Sequence, residues 1–307
     1  MLAFALRRLL AAIPTLFFVI VLAFLMMHAA PGGPFDSERT LPPEIEANIA
    51  AAYQLDEPLP VQFFSYLGGV LQGDFGPSFR YRDYTVSELI AGAFPLSLQV
   101  GGLAMLIALM FGIAAGSIAA LYRDSWIDRS IMAVSLTGIS IPVFVVAPLL
   151  VLVFAVSLTW LPAGWSSTAG GARLVLPVIA LALPQIAYIA RLLRASLVDV
   201  LASDFIRTAR AEGLTSGRIL LRHALKPALL PVISYLGPAV ASILTGSVVV
   251  EQIFGIPGLG QFFVTGALNR DYTLVLGIVV FYACLIVFFN LLVDLAYAAI
   301  DPRIRYT

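Results

Sequence analysis

The sequence predicts an all-α membrane protein that crosses the bilayer six times with both termini on the cytoplasmic side. Three observations predict it. Apolar residues make up 60% of the 307 positions and charged residues only 12%, with a mean hydropathy of +0.97. A soluble domain carries about a quarter charged residues, so a water-soluble fold of this size could not cover its surface. Six runs in the sequence reach the ~20 apolar residues that a helix needs to cross a ~30 Å hydrocarbon core. The basic residues, finally, concentrate in alternate connecting segments.

The first span covers about 9–30, after Arg7-Arg8. Its apolar stretch is longer than a secretory h-region, and His28-Ala29-Ala30 is a poor cleavage site, so it reads as an uncleaved anchor. The remaining spans cover about 95–121, 131–158, 174–193, 227–250 and 272–299. These runs are too long and too uniformly apolar for the ~10-residue alternation of a membrane β-barrel.

The N-terminus, the 122–130 loop, the 191–226 segment and the C-terminus carry 13 of the 18 basic residues. By the positive-inside bias these segments face the cytoplasm. The outer segments are 31–94, 159–173 and 251–271. The first is acidic, with nine Asp or Glu against Arg39, Arg80 and Arg82. Pro42-Pro43 followed by 44–53 predicts one short helix, and 58–73 predicts another with an amphipathic pattern. Together these predict a small folded cap on the outer face.

Several chemistries are excluded. Basic and acidic residues balance at 18 each, so there is no global field for nucleic acid. One cysteine, Cys284, cannot make an intrachain disulfide or a thiolate cluster. The only histidines, His28 and His223, lie far apart, so no metal site is expected. The single lysine, Lys226, precedes Pro227, so there is no Walker A loop, and no nucleophile elbow, zincin or kinase motif is present. No catalytic residue is expected, and energy must come from a partner or an ion gradient. A proton relay would place carboxylates or histidines at mid-membrane. His28 and Glu251 sit at outer span ends, Arg191, Arg194 and Asp199 at the inner end of span four, and Asp294 in the last two turns of span six. A secondary transporter, a channel or an intramembrane enzyme therefore has little to build on.

Segment 191–226 is too polar to span and too periodic for a loose loop. Ser203 or Asp204 can cap a short helix, and Gly213 can end it in a left-handed conformation. On that helix Phe205, Ile206 and Ala209 share an arc of about 100° while Arg207 and Arg210 point elsewhere. Thr215 or Ser216 can start a second helix running into Pro227. An apolar knob with basic flanks suits a groove on a partner protein or the surface of anionic lipid.

In span five, Ser234, Gly237, Pro238, Ala241 and Thr245 cluster on one side of the wheel with Ser242 at its edge, opposite Val232, Leu236, Ile243 and Val250. Small residues there serve either close packing or a wide passage. Gly112 and Gly116 form a GxxxG that predicts helix contact in span two. Pro142, Pro148, Pro177 and Pro184 interrupt their helical ladders, as hinges or as kinks satisfied by neighbours.

The stretch from Arg207-Thr208-Ala209-Arg210-Ala211-Glu212-Gly213 through Arg222-His223-Ala224-Leu225-Lys226-Pro227 resembles the coupling loop of ABC-importer permeases, in the version used by peptide permeases. Ala30-Pro31-Gly32, Gly73-Asp74-Phe75-Gly76, the run from Glu251 to Gly260, Leu268-Asn269-Arg270-Asp271-Tyr272 and the closing run from Ile300 to Tyr306 agree in order along nearly the whole chain. Arg207 stands where many families have Glu, and His223 and Lys226 replace a later Ile and Pro.

The resemblance is to the B-type membrane subunit of bacterial oligopeptide and dipeptide importers. It implies a type I permease fold filling 1–307 as a single domain, with 31–94 a periplasmic cap insertion, 199–226 a cytoplasmic coupling loop and 251–271 a periplasmic loop. It implies a second homologous permease subunit, two cytoplasmic ATPase subunits carrying ATP and Mg, and a periplasmic substrate-binding protein, with no cofactor on this chain. ATPase coupling would fall to Phe205, Ile206, Arg207, Thr208, Ala209, Arg210, Gly213 and Arg218. Phe205, Ile206 and Ala209 would give contact area, Arg207, Arg210 and Arg218 a polar rim, and Gly213 the chain reversal. Ser234, Gly237, Ala241, Ser242 and Thr245 would line a weakly selective path for peptides.

Overall fold

The computed structural model describes residues 2–29, 57–78, 80–81, 83–166 and 170–300. Among these the chain is helical apart from short connections and an isolated antiparallel bridge between Pro77 and Thr85. The helices are α1 (Leu2–Ala29), α2 (Leu59–Leu71), α3 (Val86–Leu121), α4 (Trp126–Ser140) and α5 (Val143–Leu150), which continues as a π-helical turn over Val151–Ser157. There follow α6 (Val175–Leu201), α7 (Asp204–Ala211), α8 (Ser216–Ile219), α9 (Leu225–Ala228), α10 (Leu230–Phe254), α11 (Leu259–Leu268) and α12 (Tyr272–Ile300). Among the described residues five helical stretches are long and apolar enough to cross a membrane, and α4 with α5 and its extension, bent by 103° at their break, brings the number to six where the pair is counted as one span.

Five of the six expected spans are therefore present as long apolar helices and the third is the bent pair, with corrections to their bounds. The second begins at Val86, not near Pro95, because Pro95 sits inside a continuous helix. The fourth continues to Leu201, carrying Pro184 without a break. The third is not one straight helix. Ile141 is extended (φ −89°, ψ 119°), as a residue before proline is pushed to be, and Pro142 restarts the helix without an N–H for the ladder. Of the two cap helices expected, the one at 58–73 is α2. The one at 44–53 lies outside the described residues, as do the first part of the expected 31–94 cap segment, up to 56, and the closing run after Ile300.

The described chain divides into two compact units. The larger is built mainly on Ser97–Ile256, with the chain from Phe288. Its core joins α3, α6, α7, α8 and α10 through Ala108, Ile189, Leu193, Leu197, Ile206, Ile219 and Val232. The GxxxG of α3 is a helix contact: a Cβ on Gly112 would stand 2.8 Å from Ile189, and one on Gly116 would stand 2.6 Å from the Ala190 carbonyl. Only hydrogen at both positions lets the two backbones come this close.

The second unit comprises Leu6–Leu96 and Pro257–Val287. Here α2 lays Phe63, Tyr66, Leu67 and Val70 against Ile20 and Phe24 of α1 and Leu276 and Val280 of α12. Asp271, fully buried, starts α12 by accepting the Leu274 N–H at 3.2 Å. The same carboxylate accepts the Ser78 hydroxyl at 2.5 Å and the Arg80 N–H at 3.2 Å, and so fixes the turn that precedes α3.

Candidate functional site

Two places in the larger unit gather the residues singled out by the sequence. The first is α7. Ser203 stands at its N-cap with extended backbone (φ −71°, ψ 158°), but its hydroxyl donates to the Val200 carbonyl and leaves the cap position without a side-chain bond. At the other end Gly213 takes φ +80°. Its N–H donates to Arg210 O at 3.0 Å and the Leu214 N–H to Ala209 O at 3.3 Å, which closes the helix.

The expected three-residue knob divides. Ile206 is 0% exposed and Ala209 5%, both packed into the core of the unit. Phe205 is 51% exposed, and Arg207, Thr208, Arg210 and Arg218 are exposed with it. At about 100° per residue, 206 and 209 define the inward stripe and 205 falls at its border. Ile206 and Ala209 therefore anchor the helix to its own chain and offer no area to a partner. Arg207 pairs with Asp204 at 3.1 Å, one turn away and fully in solvent, a contact worth little.

Between α4 and α6 lies an ion pair that sequence reading did not find. Arg194 Nε and Nη2 each donate to one oxygen of Asp128 at 2.5 Å. The Asp128 side chain is 3% exposed and that of Arg194 26%. Asp128 also accepts the Asp124 N–H at 2.9 Å, where Asp124 turns the chain with φ +64°. Arg210 of α7 also lines a cavity of about 300 Å³, with Arg123, Val198, Leu201, Ser216 and Ile219 among others.

The second place is the break between α4 and α5. The bend opens a cavity of about 340 Å³ lined by Ile139, Ile141, Pro142, Val143 and Phe144, by Leu181, Pro184 and Gln185 of α6, and by Ser242, Ile243, Thr245, Gly246 and Val249 of α10. Gln185 is only 3% exposed. Its Nε2 donates to Ser242 Oγ at 3.1 Å, and its Oε1 accepts the Tyr235 hydroxyl at 2.9 Å. The Tyr235 ring stacks on Tyr188, centroids 5.4 Å apart at 26°.

Of the expected path residues, Ser242 and Thr245 line this cavity, and Ala241 is half-buried. Ser234 is exposed elsewhere, with its hydroxyl on the Leu230 carbonyl. Gly237 is buried, and the Asn290 amide oxygen of α12 occupies the place its Cβ would take, so this glycine serves packing. Gln185 carried a signal that went unread, a lone amide in an apolar span. Asp128 carried none, since its partner lies 66 positions away.

The family model for binding-protein-dependent transport system inner membrane components matches residues 112–306, and the model of its N-terminal region matches 1–100. The oligopeptide transport system permease protein OppB of Salmonella typhimurium is 56% identical over 309 residues, covering 100% of both chains. The dipeptide transport system permease protein DppB of Bacillus subtilis is 43% identical, covering 98% of this chain and 97% of its own. Among solved structures, an inward facing conformation of the MetNI methionine ABC transporter aligns with a TM-score of 0.57 at 17% identity, over 69% of this chain and 96% of that one.

Proposed function

Because the chain belongs to the family of binding-protein-dependent transport system inner membrane components, we propose that it forms half of the path by which an ATP-driven importer carries oligopeptides or dipeptides inward. The observation that carries this reading is the 56% identity to an oligopeptide permease along the whole of both chains.

In this reading a second homologous permease completes the path, and a periplasmic binding protein delivers the peptide. Two cytoplasmic ATPases, with ATP and Mg, supply the work. The exposed face of α7 seats in a cleft of one ATPase through Phe205, with Arg207, Thr208, Arg210 and Arg218 around it. Gly213 reverses the chain so that the movement of α7 passes into α8 and α10. Burial of Ile206 and Ala209 supports this reading, because a lever must be fixed to the body it moves. Ser242 and Thr245 face the passage.

The test is uptake of labelled di-, tri- and pentapeptides by proteoliposomes. Import is expected only when this chain, the second permease, the ATPases, the binding protein and ATP are all present. Accumulation by this chain alone would contradict the reading.

A further inference from the structure

The cavity at the break between α4 and α5 has a chemistry of its own. We propose that it binds a stretch of peptide through an acceptor oxygen, a main-chain carbonyl or the C-terminal carboxylate, held by Gln185 and Ser242. This rests on the peptide-import reading above.

The hydrogen-bonding inventory leads there. Tyr235 has one polar hydrogen, Gln185 two and Ser242 one. The bonds Tyr235 to Gln185 and Gln185 to Ser242 use two of the four. One amide N–H of Gln185 and the Ser242 hydroxyl find no acceptor among the described residues, and turning the amide over also leaves two donors. Gln185 is 3% exposed, and a buried donor left unmade is costly. Ser242 is exposed on the cavity wall. The remaining lining is apolar except for Thr245, whose hydrogen is spent on Ala241 O at 3.0 Å and whose hydroxyl oxygen is the one other side-chain acceptor.

The backbone adds to the same polarity. α5 starts at Val143, and Val143 and Phe144 are on the cavity wall. The first N–H groups of a helix lack carbonyls of the preceding turn and carry its positive end. Donors thus outnumber side-chain acceptors in this cavity, in an otherwise apolar shell. Such a site takes the oxygen that every peptide has and makes no demand on side-chain charge. Its volume, about 340 Å³, is at the small end of the ~300–1,000 Å³ of ligand pockets, enough for part of a peptide.

The test uses the assembled importer and radiolabelled trialanine. Ser242→Thr and Ser242→Val have the same shape and differ by a hydroxyl. Uptake should persist in Ser242→Thr and fall about tenfold in Ser242→Val and Gln185→Leu, as expected for loss of a buried hydrogen bond. All three should co-purify with the partner subunits in wild-type amounts, which separates loss of the site from loss of assembly. Ser140→Ala, whose hydroxyl only bonds its own helix at Leu136 O, should match wild type. In a Cys284→Ser background, maleimide labelling of Ser242→Cys should slow when trialanine is added. Equal slowing by trialanine amide identifies a main-chain carbonyl, and slowing by the free acid alone identifies the carboxylate. Equal uptake by the Thr and Val variants, or no protection by either peptide, overturns the site while leaving peptide import standing. A wild-type complex that imports no peptide overturns the import reading itself.

Discussion

Asp128 on α4 and Arg194 on α6 meet at two points, each guanidinium nitrogen 2.5 Å from a carboxylate oxygen. The pair pins the inner end of α4 to the helix that continues into α7. The outer end of α4 is the break at Ile141-Pro142. One end of this short helix is therefore locked and the other is jointed.

Removing one partner leaves a charge that the other was placed to neutralise. A buried pair broken this way costs about 3–5 kcal/mol, and the 26% exposure of Arg194 puts this case at the lower end or below it. Arg194→Met should lower the thermal midpoint of the purified chain in detergent. Adding Asp128→Leu to it should recover part of the loss. Equal midpoints for wild type and Arg194→Met would show that the pair contributes nothing.

Gly213 has φ +80°, and a Cβ there would meet nothing within 4 Å. The penalty for substitution is conformational, about 1–2 kcal/mol for an ordinary residue in the left-handed region and more for a β-branched one. Gly213→Asn should keep ATPase stimulation and uptake near wild type, while Gly213→Val should lose both yet still insert. Hydrolysis and uptake assays on the two variants check this, and identical behaviour would remove the backbone argument.

The apolar runs made the membrane spans legible, and the glycine spacing in α3 made a close helix contact there legible, though not its partner α6. Gly213 as the end of α7 was legible because few residues tolerate its conformation. The break in the third span was not. A proline inside a membrane helix reads the same whether the helix continues, as at Pro184, or turns by 103°, as at Pro142, because neighbouring helices decide. The inward face of α7 was ambiguous for a related reason. An eight-residue helix with three apolar positions has a stripe, but only packing says which edge of it is buried. Arg194 read as a charge at the inner end of its span until the fold brought Asp128 to it.

Phe205 and Ile206 are neighbours with opposite exposure, 51% and 0%. Ile206→Asp buries an uncompensated carboxylate and should sharply reduce the amount of chain in the membrane. Phe205→Asp should leave that amount unchanged and reduce co-purification of the ATPase subunits. Immunoblots of membranes and of affinity-purified complex measure both. Equal membrane levels for the two variants would contradict the burial of Ile206.

Thr245 lines the 340 Å³ cavity, and Gly237 packs against Asn290. Thr245→Trp should abolish peptide uptake while the complex still assembles. Gly237→Leu should impair assembly itself, since its side chain has no room. Uptake and size-exclusion profiles separate the two, and full uptake by Thr245→Trp would place the passage elsewhere.

The central claim is that force enters this chain through the exposed face of α7. A photo-reactive benzoylphenylalanine at position 205, in the assembled importer, reads that contact directly. Irradiation should join this chain to an ATPase subunit in a complex competent for peptide uptake. An adduct with lipid alone, in a complex that still imports, would contradict the claim.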